Sequence, residues 1–382
     1  MKSYGRAALS DFLGDRVVYR NLVPCDHRLP PLEEVRAQLD LPVGRVPRKS
    51  ESDYARVLVR LLRLARELDA PGIQIKRLIY FGDTKLLDGT AFENICLAGN
   101  WPGIAFIGSE NDLPQSIEIV PLVGEQTLYL SNRWAALSEF DQYCSSVGFA
   151  VDEFTAVLID IDKTALGARG RNAYVIDQVR MQAVEDTVAD LLGSDFDEET
   201  FKEAYVQWNQ VDFHPFTTDN QDYLAYICLI LGSGLYDFKN ILGRVRDGEL
   251  TSFLEFISEV DSRKTGLPPV LAEIHGEIYT NVQSGDPTPF KAFRRSEYLT
   301  TIRRMGFLDD NLPVSRMLAE EILITQEVRE LAMVWRSRGS LVFSLSDKPD
   351  EASVPTPELA ASGYQPIHRT ETHVVGDGQK QE

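Results

Sequence analysis

The tightest constraint on this chain is a set of apolar runs that are too short for helices. Residues 77–81 (Arg-Leu-Ile-Tyr-Phe), 103–108 (Gly-Ile-Ala-Phe-Ile-Gly) and 155–160 (Thr-Ala-Val-Leu-Ile-Asp) are such runs, and they read as buried strands. A helical pattern over 88–97 separates the first two, and another over 133–146 leads into the third. Strand, helix, strand at this spacing predicts βαβ units and a parallel sheet. Leu58, Leu61, Leu62, Leu64 and Ala65 form one apolar stripe, so a helix is predicted over 54–68. Segments 116–123 and 126–131 flank Gly124-Glu125 and fit a hairpin. A last strand is predicted over 340–346, whereas the first fifty residues are poorly patterned and punctuated by proline.

Between 172 and 335 the pattern changes to helical spacing with almost no alternation. Helices are predicted over 177–192, 198–209, 222–230, 250–260, 268–282, 295–305 and 314–335. The expected fold class is therefore α/β: a Rossmann-like parallel-sheet core with an inserted all-α cap domain. The core is expected over 1–171 and 336–354 and the helical domain over 172–335. Residues 355–382, rich in Pro, Gly, Thr, Gln and charge, are expected to form a disordered tail.

Composition narrows the function classes. The chain carries 58 acidic against 39 basic residues, a net charge of −19. That balance argues against nucleic acid and anionic membranes as partners, because both need a basic surface. It is compatible with a site that holds a cation, although an acidic excess also serves solubility. No apolar stretch approaches the roughly 20 residues of a membrane helix, and the first residues are too polar for a leader. Cys25, Cys96, Cys144 and Cys228 are far apart, without a CxxC pair, which fits buried thiols in a reducing cytosol and a cytoplasmic location. The scattered histidines suggest no ligand role, and oligomeric state is not legible.

The chemistry sits where strands end. Leu158-Ile-Asp160-Ile-Asp162-Lys-Thr164 closes an apolar strand with two carboxylates two residues apart, which point the same way. At the C-terminal edge of a parallel sheet, where open α/β folds place their sites, one such acid can attack phosphorus. Its neighbour can shuttle a proton. The same string also fits an ordinary Asp-containing turn. Ile79-Tyr-Phe-Gly-Asp83-Thr-Lys-Leu-Leu-Asp88 is a second strand ending in acids, with a glycine for a tight turn; Asp83 alone would fit a helix N-cap. Acids gathered at one sheet edge call for a counter-ion, which Mg²⁺ would supply. Phe343-Ser-Leu-Ser346-Asp-Lys-Pro is a third strand end, offering a hydroxyl to a phosphoryl oxygen.

These residues resemble the haloacid dehalogenase superfamily of Asp-nucleophile phosphotransferases. Asp160-x-Asp162-x-Thr164 is similar to its first motif, Ser346 to the end of its second, and Gly82-Asp83-x-x-x-x-Asp88 to its fourth. The third motif, a Lys or Arg at a helix start, is matched by Lys49, with Arg48 adjacent. In the family the motifs run first to fourth; here the third and fourth come before the first and second, so the resemblance requires a circular permutation. It implies a Mg²⁺-dependent phosphatase or phosphotransferase acting on a small phosphate monoester. Asp160 would be the nucleophile and Asp162 the acid/base. Lys49 and Ser346 would bind the phosphoryl group, and the metal would be held by Asp160, the Asp162 carbonyl, Asp83 and Asp88. The second acid of the first motif, Asp162, favours phosphate chemistry over dehalogenation. Arg169 and Arg171, between glycines where a mobile flap would lie, are candidates for substrate contact, against the alternative of a solvated loop. A catalytically degenerate member that keeps the fold as a binding or regulatory protein is the competing reading. A nucleotide-binding α/β protein is weaker, because neither a P-loop nor GxGxxG is present.

Overall fold

The computed structural model describes residues 1–377. Its strands, in chain order, are β1 (Lys2–Ala7), β2 (Val17–Val18), β3 (Arg77–Gly82), β4 (Gly103–Gly108) and β5 (Ile117–Pro121). They continue with β6 (Gln126–Ser131), β7 (Thr155–Asp160), β8 (Ile324–Thr325), β9 (Leu341–Leu345) and β10 (Thr372–Gly376). A seven-stranded sheet has the order β2-β9-β7-β3-β4-β6-β5, parallel except for the β5–β6 hairpin. A second, three-stranded sheet has the order β1-β10-β8. The fold class is α/β.

Two units are compact by themselves: residues 1–178 with the chain from Thr301 onward, and Val179–Thr300. In the first, β4 and β7 are buried at every position, as a parallel strand covered on both faces must be. Leu78 and Tyr80 of β3 and Ala156 and Leu158 of β7 share one face, packed with Leu58, Leu61 and Leu62 of the helix Ser52–Asp69 and Phe92 and Ile95 of the helix Leu87–Gly99. The opposite face is aromatic: Phe81 meets Phe106, Phe140 and Trp335 at centroid distances of 6.3, 6.1 and 5.4 Å. In the second unit, helices such as Glu198–Trp208, Gln221–Gly232 and Phe253–Arg263 bury a core around Trp208, Tyr226 and Phe256.

Several expectations need correction. The helix-rich stretch expected over 172–335 is divided, since the chain from Thr301 belongs to the first unit. The helix expected over 314–335 is two helices, Val314–Glu320 and Gln326–Ser337, with β8 between them. The break lies at Glu321-Ile-Leu-Ile-Thr325, where buried Glu321 accepts hydrogen bonds from Gly306 N (2.9 Å) and Thr372 Oγ1 (2.8 Å). A helix at Phe238–Arg246 and the elements of the first fifty residues were not expected.

The largest correction concerns the tail, expected to be disordered over 355–382. It forms the helix Pro357–Ala361 and the fully buried strand β10, which sits between β1 and β8. Bulk composition hid the β-favouring run Thr-His-Val-Val. Residues 378–382 lie outside the described residues.

Candidate functional site

Register determines what meets at the sheet edge. Phe81 pairs with Ile159 and Asp160 with Leu345, so Asp83 and Ser346 each lie just beyond the level of Asp160 on the two flanking strands. Period-two alternation puts Asp160 on the face of Leu158 and Ala156, which the helices Ser52–Asp69 and Leu87–Gly99 cover. Lys49 comes just before the first of these helices and Asp88 opens the second. Both are thereby delivered to Asp160.

The contacts are short and buried. Lys49 Nζ donates to Asp88 Oδ1 at 2.6 Å and to Asp160 Oδ1 at 2.5 Å. Arg48 is exposed, which selects Lys49 from the two candidates. Carboxylate oxygens of Asp83, Asp88 and Asp160 lie within 4.8 Å of one another. The remaining Asp88 oxygen accepts from the main-chain N–H groups of Asp83 and Thr84, both at 2.9 Å, and from Thr84 Oγ1 at 3.0 Å. Tyr80 OH adds a bond to Asp88 Oδ1 at 2.9 Å. Asp88 thus braces the turn that presents Asp83. Gly82 permits this approach, since a Cβ there would lie 2.5 Å from Asp88 Cβ.

Electrostatics follow from three acids facing two cations, Lys49 and Arg169. Burial pushes the Asp160 carboxyl well above its usual range, against the opposing pull of Lys49. Burial and the Asp88 charge push Asp83 up to about 7. Asp88 is also penalised by burial, but Lys49 and its hydrogen bonds hold it below the usual carboxylate range. Burial disfavours the Lys49 ammonium, yet Asp160 and Asp88 together hold its pKa well above the ordinary value. A divalent cation would supply the positive charge that the cluster lacks.

The other expected residues fall in different surroundings. Ser346 is buried at the end of β9, its N–H bonded to Val18 O (3.0 Å) and its Oγ accepting from Lys348 N (3.0 Å). Asp162 is half-buried in the turn after β7, ahead of Lys163 with φ +65°. Arg169 donates from Nε to Asp83. Arg171 departs from its expected role: its side chain is 3% exposed and locked between Glu110 and Glu327, so it is not available to a substrate. The segment expected to form the flap is hydrogen-bonded to its surroundings, with Arg169 O accepting from Glu110 N (2.9 Å) and Trp134 Nε1 (3.1 Å).

Sequence reasoning missed Tyr80, Thr84 and Tyr54. Tyr80 had a signal, as the polar-tipped residue within the apolar run 78–81. The hydroxyls of Tyr54 and Thr164 are buried without a hydrogen-bond partner. Burial raises the Tyr54 phenol, which also lies in the field of Lys49, Asp160 and Asp88. The orphaned Tyr54 hydroxyl, in the field of the acidic cluster, fits a site that takes up a further polar atom. The all-oxygen donor set suits a hard cation such as Mg²⁺. No family model, curated protein or solved structure matches this chain.

Proposed function

We propose that this chain is a Mg²⁺-dependent phosphotransferase or phosphatase for small phosphate monoesters, built as a circularly permuted haloacid dehalogenase-type core. The observation that carries this reading is the convergence of Asp160, Asp83, Asp88 and Lys49, drawn from both halves of the permuted motif order, at the shared edge of the adjacent strands β7 and β3. Asp83, Asp88 and Asp160 would hold the cation, which would neutralise phosphoryl charge and orient the ester.

Asp160, at the end of a buried strand, is held by Lys49 with one oxygen engaged, an arrangement suited to in-line attack on phosphorus. Lys49 would offset the charge of the phosphoryl oxygens, and the Ser346 hydroxyl would donate to one of them. Asp162, beyond the strand and half-exposed, would give its proton to the leaving alkoxide and take one from the attacking water. The aspartyl-phosphate on Asp160 would then be hydrolysed.

The test is turnover of a broad phosphomonoester panel with Mg²⁺. Activity lost on chelation and in Asp160→Asn supports the reading; no metal-dependent turnover on any member sinks it. The competing reading, a non-catalytic member of the same fold, is favoured by the internal neutralisation of the acids by Lys49 and Arg169. That protein would bind phosphate or Mn²⁺ without turnover.

A further inference from the structure

Arg169 reaches the acidic cluster from a backbone that is pinned on both sides. Its N–H donates to Lys163 O at 2.7 Å, and its carbonyl accepts from Glu110 and Trp134. Gly170 follows with φ +78°, and a Cβ there would overlap the Glu110 carbonyl, so the segment cannot shift toward Glu110. Arg171 then anchors the segment through four bonds of 2.8–2.9 Å to Glu110 and Glu327. The two arginines have opposite characters. Arg171 is buried with both sides of its guanidinium matched by carboxylates, whereas the Arg169 side chain is 36% exposed and meets one oxygen of Asp83 through Nε.

The pairing within the cluster is also unequal. Lys49 serves Asp88 and Asp160, which leaves Arg169 as the cation on Asp83. A divalent ion bound by Asp83 would sit within a few ångströms of that guanidinium, and the two positive charges would repel across a partly desolvated gap. The half-exposed side chain can relieve this by swinging outward, a movement closed to Arg171.

We propose that Arg169 is a built-in counter-ion that holds Asp83 in the cation-free protein and competes with the divalent cation for it, so that the charge at position 169 sets the cation affinity of the site. This rests on the reading of the three acids as a cation site. Arg169 acts through Asp83 and is a positioning residue. With three acids facing two cations, the empty cluster has most of its charge compensated from within the protein, and cation binding is coupled to release of one arginine side chain.

The experiment measures Mn²⁺ affinity of the full chain by the EPR signal of free Mn²⁺, independently of turnover. Arg169→Gln keeps a donor for Asp83 and removes the charge; it is expected to bind Mn²⁺ about tenfold more tightly than wild type, about one unit of opposed charge at partial burial. Arg169→Lys keeps the charge and should stay within about twofold of wild type. Arg169→Ala provides an independent check, because added guanidinium chloride should refill the gap and weaken Mn²⁺ binding more than an equal concentration of NaCl. Unchanged or weaker binding in Arg169→Gln, equal tightening in Arg169→Lys, or no guanidinium-specific effect in Arg169→Ala overturns the proposal, as does absence of Mn²⁺ binding in all four proteins. Should the Arg169 series behave as expected while no phosphate ester is turned over, the phosphotransfer reading fails and the counter-ion role stands. Metal-dependent turnover with an affinity indifferent to position 169 removes the counter-ion role and leaves phosphotransfer standing.

Discussion

Lys49→Met is the sharpest perturbation of the cluster. The buried ammonium touches Asp88 at 2.6 Å and Asp160 at 2.5 Å, and methionine fills similar volume without charge. Its removal takes from Asp88 and Asp160 the ammonium that both carboxylates contact, while Arg169 stays on Asp83. Breaking a buried pair from one side costs about 3–5 kcal/mol, because the surviving charge has lost its partner. The pH dependence has a definite sign. The Asp160 pKa is already raised in the folded protein, so its protonated form stabilises the fold at low pH and that stability is lost as pH rises through the folded value. Without Lys49 the folded value rises further, and the deficit must grow with pH. Urea unfolding of wild type and variant without metal, at pH 5 and pH 8, is expected to show a loss of about 3–5 kcal/mol at pH 8 that is smaller at pH 5. Asp160→Asn in the Lys49→Met background should recover part of the loss at pH 8. A deficit below about 1 kcal/mol at pH 8, or one that is equal at the two pH values, would refute the claim that Lys49 neutralises these acids.

Three further outcomes follow from the geometry. Gly82→Ala forces Asp88 away from β3, so it should destabilise the chain by about 1–3 kcal/mol and weaken Mn²⁺ binding, both absent if the turn simply relaxes. Because Asp83 carries a proton up to about pH 7, a cation must displace it, and Mn²⁺ affinity should fall as pH drops below 7, toward tenfold per unit; calorimetry showing a flat profile from pH 5.5 to 8 would contradict this. Arg171→Met leaves Glu110 and Glu327 facing each other uncompensated and should cost about 3–5 kcal/mol by chemical denaturation, whereas a solvated-loop role predicts well under 1.

The parallel core was legible because its strands are continuous apolar runs between helical patterns, and register carried Asp83, Asp160 and Ser346 to one edge. Lys49 was harder to see: it belongs to a poorly patterned segment, and only the helix that follows brings it under β7. Arg169 and Arg171 look alike in sequence, two arginines between glycines, yet acidic partners far away in the chain separate them completely. Glu110 and Glu327 hold one, and Asp83 takes the other. The tail failed for a related reason. A five-residue strand with one partner, β1, at the opposite end of the chain and another, β8, well before it cannot be weighed against a polar neighbourhood by local composition. Long-range pairing decides such segments.

The central claim is that Asp160 is a nucleophile toward phosphorus, and covalent trapping tests it most directly. The full chain is mixed with Mg²⁺ and a phosphomonoester that it turns over, or with acetyl phosphate as a generic donor, quenched in acid within a turnover and reduced with borohydride. A nucleophilic Asp160 predicts that peptide mapping finds this residue converted to homoserine, in a yield that disappears on chelation, while Asp83, Asp88 and Asp162 remain unmodified. Turnover without modification at position 160, or modification at another acid, would contradict it.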